Sequence, residues 1–158
     1  MALDPTAREA NYKDSIKKYM VDNLVTIEGL LVTFDPRLYI PETFKTTNPN
    51  VKKWVSVKFG NLYRDDMSEA ILEIRCCTRQ DTEGFILSQL SDKVIGYFTT
   101  TEGDGIKRIV FYRSYPSQAW ENIGGIVVQN VMESREMEAA DDTLFKLITV
   151  ILRFASKI

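Results

Sequence analysis

Two adjacent cysteines, Cys76 and Cys77, and two acidic pairs, Asp65-Asp66 and Asp141-Asp142, are the first places to look for bond-making chemistry in this chain. A cysteine nucleophile needs a base or cation beside it to hold the thiolate. The sequence contains no histidine, which removes the commonest general base and a favoured zinc ligand. Neighbouring residues of a strand point to opposite faces, and a bond between them strains the ring. Both cysteines are therefore read as reduced thiols of a protein made in a cytoplasm. Acid–base and metal chemistry need only carboxylates, but both acidic pairs fall in expected turns, where Asp bonds its own backbone. Neither has the alternating ligand spacing of a calcium loop.

The remaining catalytic signatures are missing. Gly103-Asp104-Gly105 lacks the third glycine of a dinucleotide fingerprint. Gly124-Gly125 precedes an expected strand, whereas a phosphate cradle opens a helix. No Gly-x-Ser-x-Gly elbow occurs. The expectation is a protein that is not an enzyme, with no catalytic residue, metal or cofactor.

Composition narrows the partners. The 158 residues make about one ordinary domain, with 44% hydrophobic and 27% charged residues. A chain of this size buries roughly 70% of its unfolded surface, so it needs no disulfide or metal staple. Twenty basic and 22 acidic residues leave a net charge of −2, without the basic excess of a nucleic-acid binder. Lys107, Arg108 and Arg113 with Tyr112 and Tyr115 could offer a charged stacking face. Alternation, however, puts Lys107, Ile109, Phe111 and Arg113 on one side, so the charges frame an apolar centre. No specific nucleic acid is expected. Met1 to Glu9 has no apolar core of a signal peptide, and Ile123–Val128 and Leu147–Leu152 are too short to span a bilayer. No membrane partner is expected either.

The elements follow from periodicity. Asp4-Pro5 opens a helix, and Tyr12, Ile16, Tyr19, Met20 and Leu24 recur on one face to about Asn23. Val25 to Phe34 is dense in β-formers, with Gly29 as a bulge or kink, and Asp35-Pro36 ends it. Arg37 to Asn50 reads as a long loop. Lys53–Phe59 and Glu69–Arg79 alternate as an antiparallel pair around a Gly60–Met67 turn, with Ala70, Leu72, Ile74 and Cys76 inward. Asp81 is expected to cap a second helix bearing Phe85, Ile86, Gln89, Leu90, Val94 and Phe98 and ending near Phe98. Ile106–Arg113 is a strand, Tyr115–Gly125 a loop holding Trp120, and Ile126–Glu136 and Leu144–Phe154 a final pair around the acidic turn Glu138–Asp142. Strands and helices do not alternate, which argues against a doubly wound fold. The expected fold is a single α+β domain, a mostly antiparallel sheet with both helices on one face.

What remains is surface for other proteins. Tyr39, Phe44, Trp54 and Trp120 fall in or beside loops, and aromatics and arginines are enriched in interface cores. The final hairpin carries Glu133, Arg135, Glu136 and Glu138, a charged arm.

In order and spacing, five pieces resemble the tail terminator, or tail completion, proteins of long-tailed bacteriophages. They are the helix Ala10–Asn23, the strand ending in Phe34-Asp35-Pro36, and Trp54-Val55-Ser56-Val57-Lys58-Phe59. The run from Ile71 to Asp81 into a helix at Glu83–Phe98 follows, then the closing pair Val127–Glu138 and Leu144–Phe154. The resemblance covers most of the chain. It implies a subunit of a homohexameric ring at the head-proximal end of the tail tube. Such a ring stops tube polymerisation and offers a docking surface to the head or neck connector. Its partners would be itself, the tail tube protein, the connector protein and, in a contractile tail, the sheath. Its place would be the virion tail, after assembly in the host cytoplasm. The contact regions expected on this basis include Arg64, Asp65 and Asp66, then Arg113, Tyr115 and Trp120, then Glu133, Arg135, Glu136 and Glu138. The alternative is another head–tail connector, neck or tail-tube-like subunit.

Overall fold

In the computed structural model, residues 8–35, 51–65, 67–113, 120–139 and 142–155 are described. The spine is a pair of long strands, β3 (Met67–Arg79) and β7 (Thr143–Ala155), antiparallel from Met67 opposite Ala155 to Arg79 opposite Thr143. Around them lie β1 (Val32–Thr33), β2 (Lys53–Tyr63), β4 (Arg108–Arg113), β5 (Glu121–Glu133) and β6 (Met137–Ala139). The sheet order is β1-β2-β3-β7-β5-β4, with β6 beside β7. Among the described residues only β1 with β2 is parallel; the other pairs are antiparallel.

Period-two alternation builds one apolar face. Ala70, Leu72, Ile74 and Cys76 of β3 lie with Ile148, Val150, Leu152 and Phe154 of β7 in a single buried cluster. Helix α1 (Arg8–Met20) adds Tyr12, Ile16 and Met20 to it, and helix α2 (Phe85–Tyr97) adds Leu87, Leu90 and Val94. Both helices thus share one face of the sheet, as expected for this α+β chain. Each such side chain contributes roughly 1.5–3 kcal/mol when fully buried, so this cluster dominates the fold. Near its Met67–Ala155 end the Tyr12 ring stacks on Phe154 at 5.1 Å, and Phe111 meets Phe154 edge-on at 5.1 Å. Burial pushes the Tyr12 phenol well above its usual value.

Several boundaries differ from expectation, each for a local reason. Val25 to Phe34 is not a strand along its length. Leu24 belongs to the buried stripe of α1, so the helical path continues through a π-helical turn, Val21–Val25, in which the Thr26 N–H reaches the Val21 carbonyl at 2.9 Å. Gly29, at φ 68°, and the Leu30 N–H bonded to Leu24 O at 2.9 Å then stop the helix, leaving only Val32–Thr33 extended. The second helix starts at Phe85, after Gly84 in the left-handed region. Its buried side is Leu87, Leu90, Ser91 and Val94, while Phe85 is 66% and Ile86 44% exposed. Asp81 still caps it from outside: its Oδ2 accepts the Leu87 N–H at 2.9 Å.

The expected Gly60–Met67 turn is shorter, because β2 runs on to Tyr63 through a register irregularity. Gly60 allows this, since a Cβ there would sit 3.0 Å from the Ile71 carbonyl oxygen. Gly124 and Gly125 lie inside β5, paired with Phe111 and Val110, instead of closing a loop. β5 stops at Glu133 because the Ser134 hydroxyl oxygen takes the Leu147 N–H at 2.9 Å in place of a backbone carbonyl. The chain then rejoins β7 as β6, so Glu138 and Ala139 are strand residues.

Candidate functional site

The spine spans twelve residue steps, about 40 Å at strand rise. The expected contact residues divide between one end and a stretch that runs from mid-spine, where Glu133 is level with Ile148, to the other end. At the end where Met67 pairs with Ala155, the β2–β3 connection carries Arg64 and Asp65. Arg64 Nη2 lies 3.0 Å from Glu9 Oε2, and Lys13 reaches the same carboxylate at 3.1 Å. The Asp65 carbonyl accepts the Ser68 hydroxyl at 3.3 Å. The β4–β5 pair overshoots this end, so half-buried Arg113 sits opposite Glu121 beyond the spine. Asp66 and Tyr115 lie outside the described residues, as do Tyr39 and Phe44.

Trp120 is the most distinctive side chain here. It is 42% exposed and held at φ 52°. Its ring meets Tyr112 edge-on at 5.8 Å, and the Lys18 ammonium lies 5.5 Å from its centroid. Lys18 in turn bonds Asp22 at 2.8 Å, which raises its pKa. Asp14, Lys17, Lys18, Val21, Asp22 and Trp120 line an open notch of about 380 Å³.

Toward the opposite end, which it reaches at Glu138, the charged arm is partly engaged with its own chain. Glu133 Oε1 pairs with Lys146 at 2.8 Å. The carboxylate of Glu136 lies against Gly84 at the start of α2, where a negative charge is favoured. Arg135 and Glu138 are exposed. Glu138 lines a notch of about 450 Å³ with Gln80, Asp81, Asp142 and Leu144. Gln80 and Asp142 are both left-handed, at φ 58° and 55°, and the Gln80 N–H bonds the Asp142 carbonyl at 3.1 Å.

The chemistry of these groups is muted. Cys76 sits in the helix-side core and Cys77 on the other face beside Trp54, both as free thiols. Burial pushes Cys76 up to about 12 and Cys77 higher still, so both are protonated at neutral pH. Trp54, expected beside a loop, is fully buried in β2, with the Arg79 guanidinium 4.9 Å from its ring. On the face away from the helices it packs with Cys77, Val51 and Phe145. Among the described residues, no group of three or more Cys, Asp or Glu is placed to hold a metal ion. No helix among them is long and apolar enough to cross a membrane.

Two contributors escaped sequence reasoning. Ser15 is fully buried and binds the backbone of β4, and Gly84 receives Glu136. The first had a signal: Asn11 and Ser15 place two polar residues, four apart, alongside the apolar stripe of α1. No protein-family model and no curated protein sequence matches the chain.

Proposed function

We propose that this chain is a structural subunit that closes into a hexameric ring on the head-proximal end of a phage tail tube, ends tube growth and receives the head or neck connector. One observation carries the reading: exposed side chains lie at both ends of one continuous sheet, with Trp120 and Arg64 at one and Glu138 at the other. A ring that separates two different partners needs two such ends. Two carboxylates near the far end are structural: Asp81 accepts the Leu87 N–H and Glu133 pairs with Lys146. The resemblance in element order supplies the hexameric ring and the tail. The mechanism is occupation. Head-to-tail contacts between copies close around an axis, and charge patterns on the two ring faces choose the partners.

The test is removal of the gene from its phage. Tails of irregular or excessive length that fail to join heads are expected; tails of uniform normal length with heads attached would refute the reading. The second reading, a tail-tube-like subunit, draws on a stretch of sheet edge with one partner strand along β5 and β6. Purified chain that stacks into long tubes under the electron microscope would favour it over single rings.

A further inference from the structure

The β4 side of the sheet is finished in two different ways. Along β4, helix α1 closes the edge. Ser15 Oγ accepts the Tyr112 N–H at 2.9 Å and lies 3.4 Å from the Tyr112 carbonyl oxygen. β4 begins at Arg108, opposite Val127, and the Lys107 carbonyl accepts the Val128 N–H at 2.9 Å. Past that point, Asn130–Glu133 of β5 and all of β6 pair with β7 on one side only, among the described residues. This open length follows β7 from Ile151 to Thr143, about 26 Å.

Open edges recruit further strands, and proteins blunt them with a covering element or with charges along the edge. Here the covering helix serves only the β4 half. Glu133 is drawn to Lys146 and Glu136 to Gly84, so two of the three acidic guards are turned onto their own chain. Met132, 45% exposed, stands in the gap. The opposite margin of the sheet is complementary. There β1 pairs only with β2 among the described residues. Leu31, 40% exposed, and Ile27, 68% exposed, flank it, and Lys53 and Lys58 of β2 are exposed beside it. On the open β5–β6 length Glu138 is exposed, so an acidic side chain on one margin answers the exposed lysines beside the other.

We propose that the open β5–β6 edge of one copy takes the β1 margin of the next copy, so that the sheet continues from subunit to subunit. This inference rests on the ring reading and names the contact that closes the ring. Opposite margins meeting is the heterologous geometry that a ring requires. Strand addition supplies backbone hydrogen bonds, and the alternate side chains supply the choice of partner. The lysines of one copy then face Glu138 of the next.

The test uses the purified chain with two introduced thiols, Leu31→Cys and Met132→Cys, because the native cysteines are buried. Mild oxidation of the double variant is expected to give a ladder of linked species up to six copies, while each single variant gives no species beyond two. Lys53→Glu with Lys58→Glu should reduce the ladder severalfold, and Glu138→Lys should restore it. Rings visible by electron microscopy that give no ladder would overturn the edge assignment and leave the ring reading standing. Monomers alone, in solution and on isolated tail tubes, would overturn both.

Discussion

The carboxylate of Glu136 rests on Gly84 so closely that a methyl group built there would lie 2.7 Å from the carboxylate carbon. Gly84 also has φ 71°, which side-chain-bearing residues rarely adopt. Gly84→Ala should therefore destabilise the fold by about 1–3 kcal/mol, as strain in this region does, read from the urea midpoint. In a Glu136→Ala background the overlap disappears and only backbone strain of about 1–2 kcal/mol remains. An equal loss in both backgrounds would mean that the glutamate does not press on the glycine.

Ser15 holds the edge of β4 through Tyr112. Ser15→Ala leaves the Tyr112 N–H without its acceptor, and such an orphaned group costs about 1–3 kcal/mol. It also unseals the edge, so the variant should associate at lower concentration than the parent, by light scattering. Unchanged stability and unchanged association together would remove Ser15 from the account.

Glu138 and Glu133 should separate function from folding. Glu138 is exposed in a strand, so Glu138→Lys should shift stability by no more than about 0.5 kcal/mol yet impair assembly onto tails. Glu133→Lys replaces an ion pair to Lys146 with two like charges and should lower stability by about 1 kcal/mol. Reversing all three glutamates together would mix the two effects. If Glu138→Lys unfolds as readily as Glu133→Lys, its role is structural.

Asp104 provides a pH handle on the turn before β4. The Arg108 guanidinium and then the Ile106 N–H hold its carboxyl at about 2, below the usual 3.8. The folded value is the lower one, so this contact contributes fully above the ordinary value and is lost as pH falls through about 2. A carboxyl titration by NMR should place its midpoint near the lower figure, and Arg108→Ala should return it toward 3.8. A parent midpoint near 4 would contradict the bond.

Much of the sheet could be read from residue alternation, because burial on one face imposes period two. Ala70, Leu72, Ile74 and Cys76 face the helices for that reason, and Cys77 lies opposite. Where tertiary closure set the outcome, local composition misled. The β-formers from Val25 onward follow a helix whose phase Leu24 fixes in the core. Phe85 and Ile86 fall at helical spacing with Leu90 and Val94, but they stand in the first turn, and the buried side is Leu87, Leu90, Ser91 and Val94. Among the candidate contact residues that are described, all but half-buried Arg113 are exposed, as their charge and loop positions suggested. Their division along the spine was not legible, since it depends on which strands lie side by side.

The thirteen-residue strands β3 and β7 are paired along their whole length. A ribbon tied at every rung resists bending in its own plane, with two helices bracing one side. Arg64 and Glu138 are thus joined through a single unbroken ladder, with no hinge between the two extremities among its paired residues.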